Sequence, residues 1–209
     1  LGGTSGRTTL NGEGLQHEDG HSHILANTIP NCVSYDPTFA HEVAVIMHDG
    51  LKRMVERQEN VFYYITLLNE NYAMPGLLPG TEEQIIKGMY LCKPGADGDK
   101  RVQLLGSGTI LRESLEAQTL LAADWGVQAD VWSCPSFNEL TREGQDADRW
   151  NLLHPLETPR VPFVTRQLGS RSGPVVASTD YMKAYAEQIR PFVPKGRSYR
   201  VLGTDGFGR

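Results

Sequence analysis

Hydrophobic and polar positions along the chain predict alternating strands and helices. Strands are predicted at residues 32–35, 61–68, 89–92, 102–105, 127–133, 174–178 and 199–202, where β-branched, aromatic and other apolar residues cluster. Helices are predicted at 36–57, 81–88, 109–123, from about 137, and at 180–189, with an irregular stretch before residue 174. Such alternation is typical of an α/β fold with mainly parallel sheets and helices on both faces.

Two of the predicted helices carry recognisable start signals. Asp36 followed by Pro37 is the pattern of an N-cap and a first helical residue, and this helix is expected to run to about Arg57. Asp180 is expected to cap a second helix that ends before Pro191.

A change in composition near the middle of the chain predicts a domain boundary. Proline and glycine interrupt the periodicity between residues 69 and 100. We place the boundary near residues 80–95, so that residues 1–85 belong to one domain and residues 86–209 to a second. The chain opens in a glycine-rich loop and stops after a predicted strand and loop, so we expect it to be part of a larger protein.

Composition and charge narrow the class of protein. The 209 residues are 39% hydrophobic, which is enough to bury a core. The net charge of -5 and the scattered basic residues give no reason to expect binding to nucleic acid or to an anionic membrane. Cys32, Cys92 and Cys134 lie in apolar surroundings at no metal-binding spacing, which predicts buried free thiols in a reducing compartment.

The densest cluster of functional side chains lies between residues 13 and 23. It contains His17, His21 and His23, which are half of the six histidines, together with Glu13 and Asp19. Histidine transfers protons near neutral pH and donates hydrogen bonds to an oxygen that gains negative charge. Three interpretations stay open: a metal site, a loop of acid–base or substrate-binding groups, and a solvated polar loop. The spacing matches no zinc signature, which weakens the first.

Two other features favour structural roles. The Gly106–Gly108 turn follows a predicted strand and precedes a helix, where a phosphate site is conceivable, but a tight turn is the better interpretation because the phosphate motifs are incomplete. His154, beside Pro155, is expected to make a structural hydrogen bond in a loop or at a subunit contact.

Longer motifs resemble a known family over essentially the whole chain. The run from Arg7 to His23 closely resembles a loop in the pyrimidine-binding domain of homodimeric pyruvate dehydrogenases. Further resembling motifs lie at residues 34–37, 48–50, 68–72, 104–108, 146–151, 153–155, 179–182 and 201–209. Glu18, Asp19 and Gly20, followed by His23, also resemble the equivalent loop of transketolases, which share the fold.

The resemblance implies a thiamine-diphosphate-enzyme (transketolase-like) fold. Residues 1–85 would form the C-terminal part of the pyrimidine-binding middle domain, and residues 86–209 a truncated transketolase-like C-terminal domain. The implied activity is oxidative decarboxylation of pyruvate, with reductive acetylation of the lipoyl group on a dihydrolipoamide acetyltransferase partner. The implied enzyme is a cytoplasmic homodimer, and its thiamine diphosphate and Mg²⁺ are bound mainly by residues outside this chain.

The same resemblance assigns roles within the histidine cluster. His17 is the first choice for contact with the reacting substrate, and Glu13, four residues earlier, would support it. His21 and His23 are further substrate-facing candidates, and Asp19 would orient a histidine. No metal ligand is expected in this chain.

Two classes of alternative function stay open. One is another transketolase-fold enzyme, such as 2-oxoglutarate dehydrogenase or transketolase; a sugar-phosphate enzyme would need basic groups, and none lies beside the His17–His23 loop. The other is a non-catalytic interaction module made of the C-terminal domain, which would need no concentration of histidines.

Overall fold

The computed structural model describes residues 2–3 and 14–206, except for the side chain of Leu15. The first part contains a 3-10 turn (Leu15–His17), α1 (Ser22–Asn27), β1 (Cys32–Tyr35), α2 (Ala40–Leu51), a π-helical continuation (Lys52–Glu56) and β2 (Phe62–Ile65). The second part contains α3 (Glu82–Lys87), β3 (Tyr90–Lys93), β4 (Arg101–Gly106), α4 (Ile110–Trp125), β5 (Gln128–Ser133), α5 (Phe137–Leu153), α6 (Phe163–Gly169), β6 (Val175–Met182), α7 (Lys183–Glu187), a 3-10 turn (Arg190–Phe192) and β7 (Tyr199–Thr204).

The described strands form two sheets. β1 and β2 pair in parallel, with Cys32 opposite Phe62. The larger sheet has the order β3-β5-β4-β6-β7, in which the edge strand β3 is antiparallel to β5 and the other pairs are parallel. An antiparallel edge on an otherwise parallel sheet is common in α/β folds.

Helices cover both faces of the larger sheet. Leu104 on β4 packs with α4 on one face, whereas Leu105 points into a larger core with α5, α6 and α7 on the other. Neighbouring strand residues point to opposite faces, so both faces need apolar side chains. The predicted mainly parallel sheet with helices on both faces is therefore confirmed.

The predicted start of the first long helix is wrong. The helix begins at Ala40, because the carboxylate of Asp36 is engaged elsewhere and accepts the Thr66 hydroxyl at 2.6 Å. The N-terminal turn is instead capped from inside the helix by Glu42, whose carboxylate accepts the backbone N–H of Phe39 at 3.0 Å. The Asp–Pro pattern thus marks the end of β1 and not a helix cap.

Two predictions near the C-terminus also need correction. Asp180 does not cap a helix, because β6 continues to Met182, which pairs with Thr204 on β7, and α7 begins only afterwards. The stretch expected to be irregular contains α6, whose Phe163 and Leu168 are buried. A helix of 7 residues shows too few apolar positions for its period to be recognised.

A layer of buried polar side chains joins the two sheets. Glu42 on α2 accepts the hydroxyl of Tyr90 on β3 at 2.8 Å and that of Ser133 on β5 at 2.5 Å. Asn138 on α5 donates to the Ser34 hydroxyl on β1 at 2.6 Å. Buried polar groups need such partners, so these bonds specify how the small sheet docks on the large one.

The three cysteines are free. Cys32 and Cys134 are buried, as predicted, whereas Cys92 is only half-buried because it lies on the edge strand β3. Burial raises the pKa of the Cys134 thiol well above its ordinary value, so the thiol stays protonated and unreactive.

Candidate active site

The histidine segment, which we define as residues 14–23, crosses the end of strand β6. Its first turn is closed by the backbone N–H of His17, which donates to the carbonyl of Gly14 at 3.0 Å, and the His17 side chain is half-buried. The backbone N–H of Met182 donates to the carbonyl of Gly20 at 2.9 Å. The predicted supporting residue Glu13 lies outside the described residues.

Asp19 is the structural centre of the histidine segment. Its carboxylate is 7% exposed, and one oxygen accepts the backbone N–H groups of His21 at 3.2 Å and Ser22 at 3.0 Å. The other accepts the Ser22 hydroxyl at 2.6 Å and the Tyr181 hydroxyl at 3.1 Å. Burial alone would raise the pKa of Asp19, but these donors outweigh it and hold the pKa below its usual value. Asp19 is therefore an ionised cap for the first turn of α1.

His21 lies beside this carboxylate and retains access to solvent. Its Nδ1 is 3.9 Å from the Asp19 carboxylate, and its side chain is 39% exposed. The distance is beyond a direct hydrogen bond but within the range of an electrostatic contact. The role of Asp19 in orienting a histidine stays a prediction.

His23 is enclosed, in contrast to His17 and His21. Its Nε2 lies 3.0 Å from the hydroxyl oxygen of Thr66, which in turn donates to Asp36 at 2.6 Å. Three tyrosine rings surround the imidazole with centroids 5.1–5.2 Å away. The rings belong to Tyr64, Tyr181 and Tyr185. His23 is 0% exposed, so a contact with substrate would require this cage to open.

The partners of the histidine segment come from distant parts of the chain. Thr66 follows β2 and lies 43 residues from its partner His23. Tyr181 lies on β6, 162 residues from its partner Asp19. Sequence reasoning missed both residues. The motif that contains Tyr181 resembled the family, but no local signal indicates which residue it contacts.

Comparison with known families accounts for this architecture. The model of the transketolase-like C-terminal domain matches residues 88–209. The chain belongs to this family. The model of the pyruvate dehydrogenase E1 component middle domain matches residues 1–75, which include the whole histidine segment.

Curated relatives of this transketolase-like chain are named pyruvate dehydrogenase E1 component. The chain is 63% identical over 211 residues to the protein from Cupriavidus necator and 64% identical over 210 residues to that from Escherichia coli strain K12. Each match covers 100% of the chain and 23% of the relative. The chain thus spans about a quarter of the length of these relatives. The predicted resemblance to pyruvate dehydrogenases is confirmed.

Solved transketolases share the fold. The transketolase from Campylobacter jejuni matches with a TM-score of 0.61 at 16% identity and covers 99% of this chain and 27% of the enzyme. The transketolase from Leishmania mexicana matches with a TM-score of 0.60 at 16% identity, covering 93% of this chain and 24% of the enzyme. The predicted transketolase-like fold is confirmed.

The Gly106–Gly108 turn of this transketolase-like chain is occupied by protein contacts. The Gly106–Gly108 turn packs against the segment after β1, since the N–H of Gly108 donates to the carbonyl of Asp36 at 3.1 Å and its carbonyl accepts the Thr38 hydroxyl at 2.6 Å. Between residues 14 and 206, no three His, Cys, Asp or Glu side chains are grouped to hold a metal ion. Within the same range, no helix has the length and hydropathy needed to cross a membrane.

Proposed function

We propose that the full-length protein carrying this chain is the decarboxylating first component of a bacterial pyruvate dehydrogenase complex. It would oxidatively decarboxylate pyruvate with thiamine diphosphate and transfer the acetyl group to the lipoyl group of a dihydrolipoamide acetyltransferase partner. The observation that carries this proposal is identity of 62–64% across the entire chain to bacterial proteins named pyruvate dehydrogenase E1 component.

We also propose how this chain contributes to the whole enzyme. Residues 1–85 would belong to the middle domain and residues 86–209 to the C-terminal domain. Since the chain spans only about a quarter of the length of its curated relatives, thiamine diphosphate and Mg²⁺ would be held mainly by residues outside it, in a homodimer. The free cysteines agree with a reducing cytoplasm.

The role we assign to the histidine segment follows from the charge that develops in the reaction. Loss of CO₂ from a 2-oxoacid requires an electron sink, which thiamine diphosphate supplies when bound. Negative charge also grows on the substrate's carbonyl oxygen, and a preorganised donor there stabilises the transition state. We assign this donor to His17, with Glu13 in support. His21 is the second choice because it is accessible, and His23 comes last because it is enclosed.

Replacing His17 tests this assignment. In the full-length enzyme, His17→Ala should lower kcat and kcat/KM for pyruvate together, since the lost interaction is stronger in the transition state than in the ground state. Loss of one such donor costs about 3 kcal/mol, or about a hundredfold in rate. The affinity for thiamine diphosphate should change little. Steady-state kinetics and a cofactor titration of the same variant measure both quantities.

His48→Ala is the matched control, because His48 is exposed and lies on α2, outside the histidine segment. It should retain wild-type kcat. An unchanged kcat in His17→Ala would contradict the assignment and transfer it to His21. CO₂ release from 2-oxoglutarate, or ketol transfer from a sugar phosphate, in preference to turnover of pyruvate would contradict the proposed substrate.

A further inference from the structure

The C-terminal domain contacts the histidine segment at the end of strand β6. The hydroxyl of Tyr181 donates to the Asp19 carboxylate at 3.1 Å and also lies 3.4 Å from the Ser22 hydroxyl. One residue further, the N–H of Met182 donates to the carbonyl of Gly20. A side-chain bond and a backbone bond from consecutive residues therefore attach this strand to the segment.

Packing restrains the position of the Tyr181 hydroxyl. The regular pairing of β6 with β7 is interrupted between Ser178 and Met182, and this irregularity contains Tyr181. The side chain is 0% exposed, and its ring packs edge-on against the rings of His23 and Tyr185 at 5.1 and 5.2 Å. A ring packed on several sides has few alternative rotamers, so its hydroxyl is preorganised toward Asp19.

Asp19 passes this constraint to the residues that follow it. The carboxylate oxygen that does not contact Tyr181 accepts the backbone N–H groups of His21 and Ser22. A rotation of the carboxylate therefore moves the start of α1 and the backbone of His21. A buried carboxylate that loses one donor also becomes more costly to keep ionised and in place.

We propose that Tyr181 is a positioning residue for the histidine segment and acts through Asp19. The C-terminal domain thereby contributes to turnover without touching the substrate. This inference rests on the proposed function, because it requires that the segment take part in catalysis. Small displacements of catalytic groups are sufficient for large losses of rate.

Tyr181→Phe in the full-length enzyme tests the inference, since it removes only the hydroxyl and retains the packed ring. Tyr199→Phe is the matched control. The Tyr199 hydroxyl is also buried in the C-terminal domain, on the neighbouring strand β7, but it donates to the carbonyl of Ala186 at 2.7 Å. Both variants lose a buried hydrogen bond, but the bond from Tyr181 goes to an ionised carboxylate and that from Tyr199 to a neutral carbonyl, so the melting temperature should fall at least as far in Tyr181→Phe as in Tyr199→Phe.

Two measurements separate positioning from stability. Amide hydrogen exchange in residues 14–22 should become faster in Tyr181→Phe and stay unchanged in Tyr199→Phe. The kcat for pyruvate should fall about tenfold in Tyr181→Phe and by less than about twofold in Tyr199→Phe. The KM for thiamine diphosphate should stay constant in both.

A double-mutant cycle identifies the route. If Tyr181 acts through Asp19, adding Tyr181→Phe to Asp19→Asn should lower kcat by much less than it does alone. Independent, multiplicative effects on kcat would overturn that route. Wild-type exchange in residues 14–22 of Tyr181→Phe, or an equal loss of kcat in Tyr199→Phe, would overturn the inference as a whole.

His17→Ala distinguishes failure of this inference from failure of the proposed function. If His17→Ala loses turnover while Tyr181→Phe retains it, only the positioning role of Tyr181 is refuted. If His17→Ala retains turnover as well, the assignment of the segment to catalysis is refuted, and the positioning role falls with it.

Discussion

Removal of the buried carboxylate of Glu42 should strongly destabilise the docking of the two sheets. Glu42 is 0% exposed and accepts four hydrogen bonds. Two come from the backbone N–H groups of Thr38 and Phe39 at the start of α2, and two from the hydroxyls of Tyr90 and Ser133 in the larger sheet. The Glu42 side chain thus caps helix α2, which packs with the small sheet, and links it to strands β3 and β5 of the larger sheet.

The size of the effect follows from which donors can find new partners. The two hydroxyls can rotate, but the two backbone N–H groups, which lie just before α2, cannot turn to other acceptors and are left unsatisfied in Glu42→Ala. Each buried unsatisfied donor costs about 1–3 kcal/mol, so we expect a loss of about 3–5 kcal/mol in the free energy of unfolding. Glu42→Gln retains one acceptor oxygen for the N–H groups, while its amide can donate to the hydroxyls. It should therefore cost only about 1–2 kcal/mol.

Differential scanning calorimetry of the full-length protein measures this series. For a unit of this size, 1 kcal/mol corresponds to about 2–4 °C in Tm, so Glu42→Ala should lower the Tm of this unit by about 6–20 °C. Glu56→Gln, which makes a similar change on the exposed π-helical continuation of α2, should remain within about 0.5 kcal/mol of wild type. If Glu42→Ala melts within a degree of Glu56→Gln, the reasoning from unsatisfied donors is refuted.

Two further predictions concern a buried charge and a backbone turn. Asp130 is 0% exposed, and both of its carboxylate oxygens accept hydrogen bonds from the Arg101 guanidinium at 3.0 Å. Burial alone would raise the pKa of Asp130, but its hydrogen-bond donors outweigh burial and hold the pKa below its ordinary value. Its stabilisation is therefore complete above the unfolded pKa of about 3.9 and is lost as pH falls through the lower folded pKa. At pH 7, Asp130→Asn should lower the free energy of unfolding by about 3–5 kcal/mol. In thermal melts below about pH 4, the difference in stability between this variant and the wild type should become smaller. Asp205→Asn, at an exposed carboxylate, should change stability little at either pH. A constant gap from pH 7 to pH 3 would contradict the assignment. Gly173 has φ +99°, and an added Cβ would lie 2.2 Å from the Arg101 carbonyl oxygen, whereas Gly126 has φ +62° and open space around it. Gly126→Ala should therefore cost only about 1–2 kcal/mol for the left-handed backbone, and Gly173→Ala should lower Tm clearly more. Equal Tm losses in the two variants would refute the steric argument.

The sequence by itself determined most elements of the fold. Strands β1, β4, β5 and β7 and helix α4 lie where the periodicity predicts them. Their signals are local, because a buried strand or an amphipathic helix needs its apolar residues at fixed spacings. The resemblance to a known family could also be recognised from the sequence, since the histidine segment and the longer motifs are contiguous stretches of the chain.

Only the tertiary structure decided the roles of several polar residues. Asp36 has the sequence pattern of a helix cap, but Thr66 and the chain after β5 engage it, so the helix begins later. Asp180 likewise has the pattern of a cap but lies within a strand whose length is set by its pairing with β7. A local preference worth about 1 kcal/mol yields to burial and sheet pairing, which the local sequence does not reveal.

The histidines show the same division most clearly. Composition marked His17, His21 and His23 as one cluster, because they lie close together in sequence. The structure separates them, since His23 turns into a tyrosine cage while His21 remains accessible beside Asp19. The residues that make this distinction, Thr66 and Tyr181, are 43 and 162 residues away from their partners. Contacts over such separations arise from the packing of β2 and β6 against the segment, and no spacing in the sequence records them.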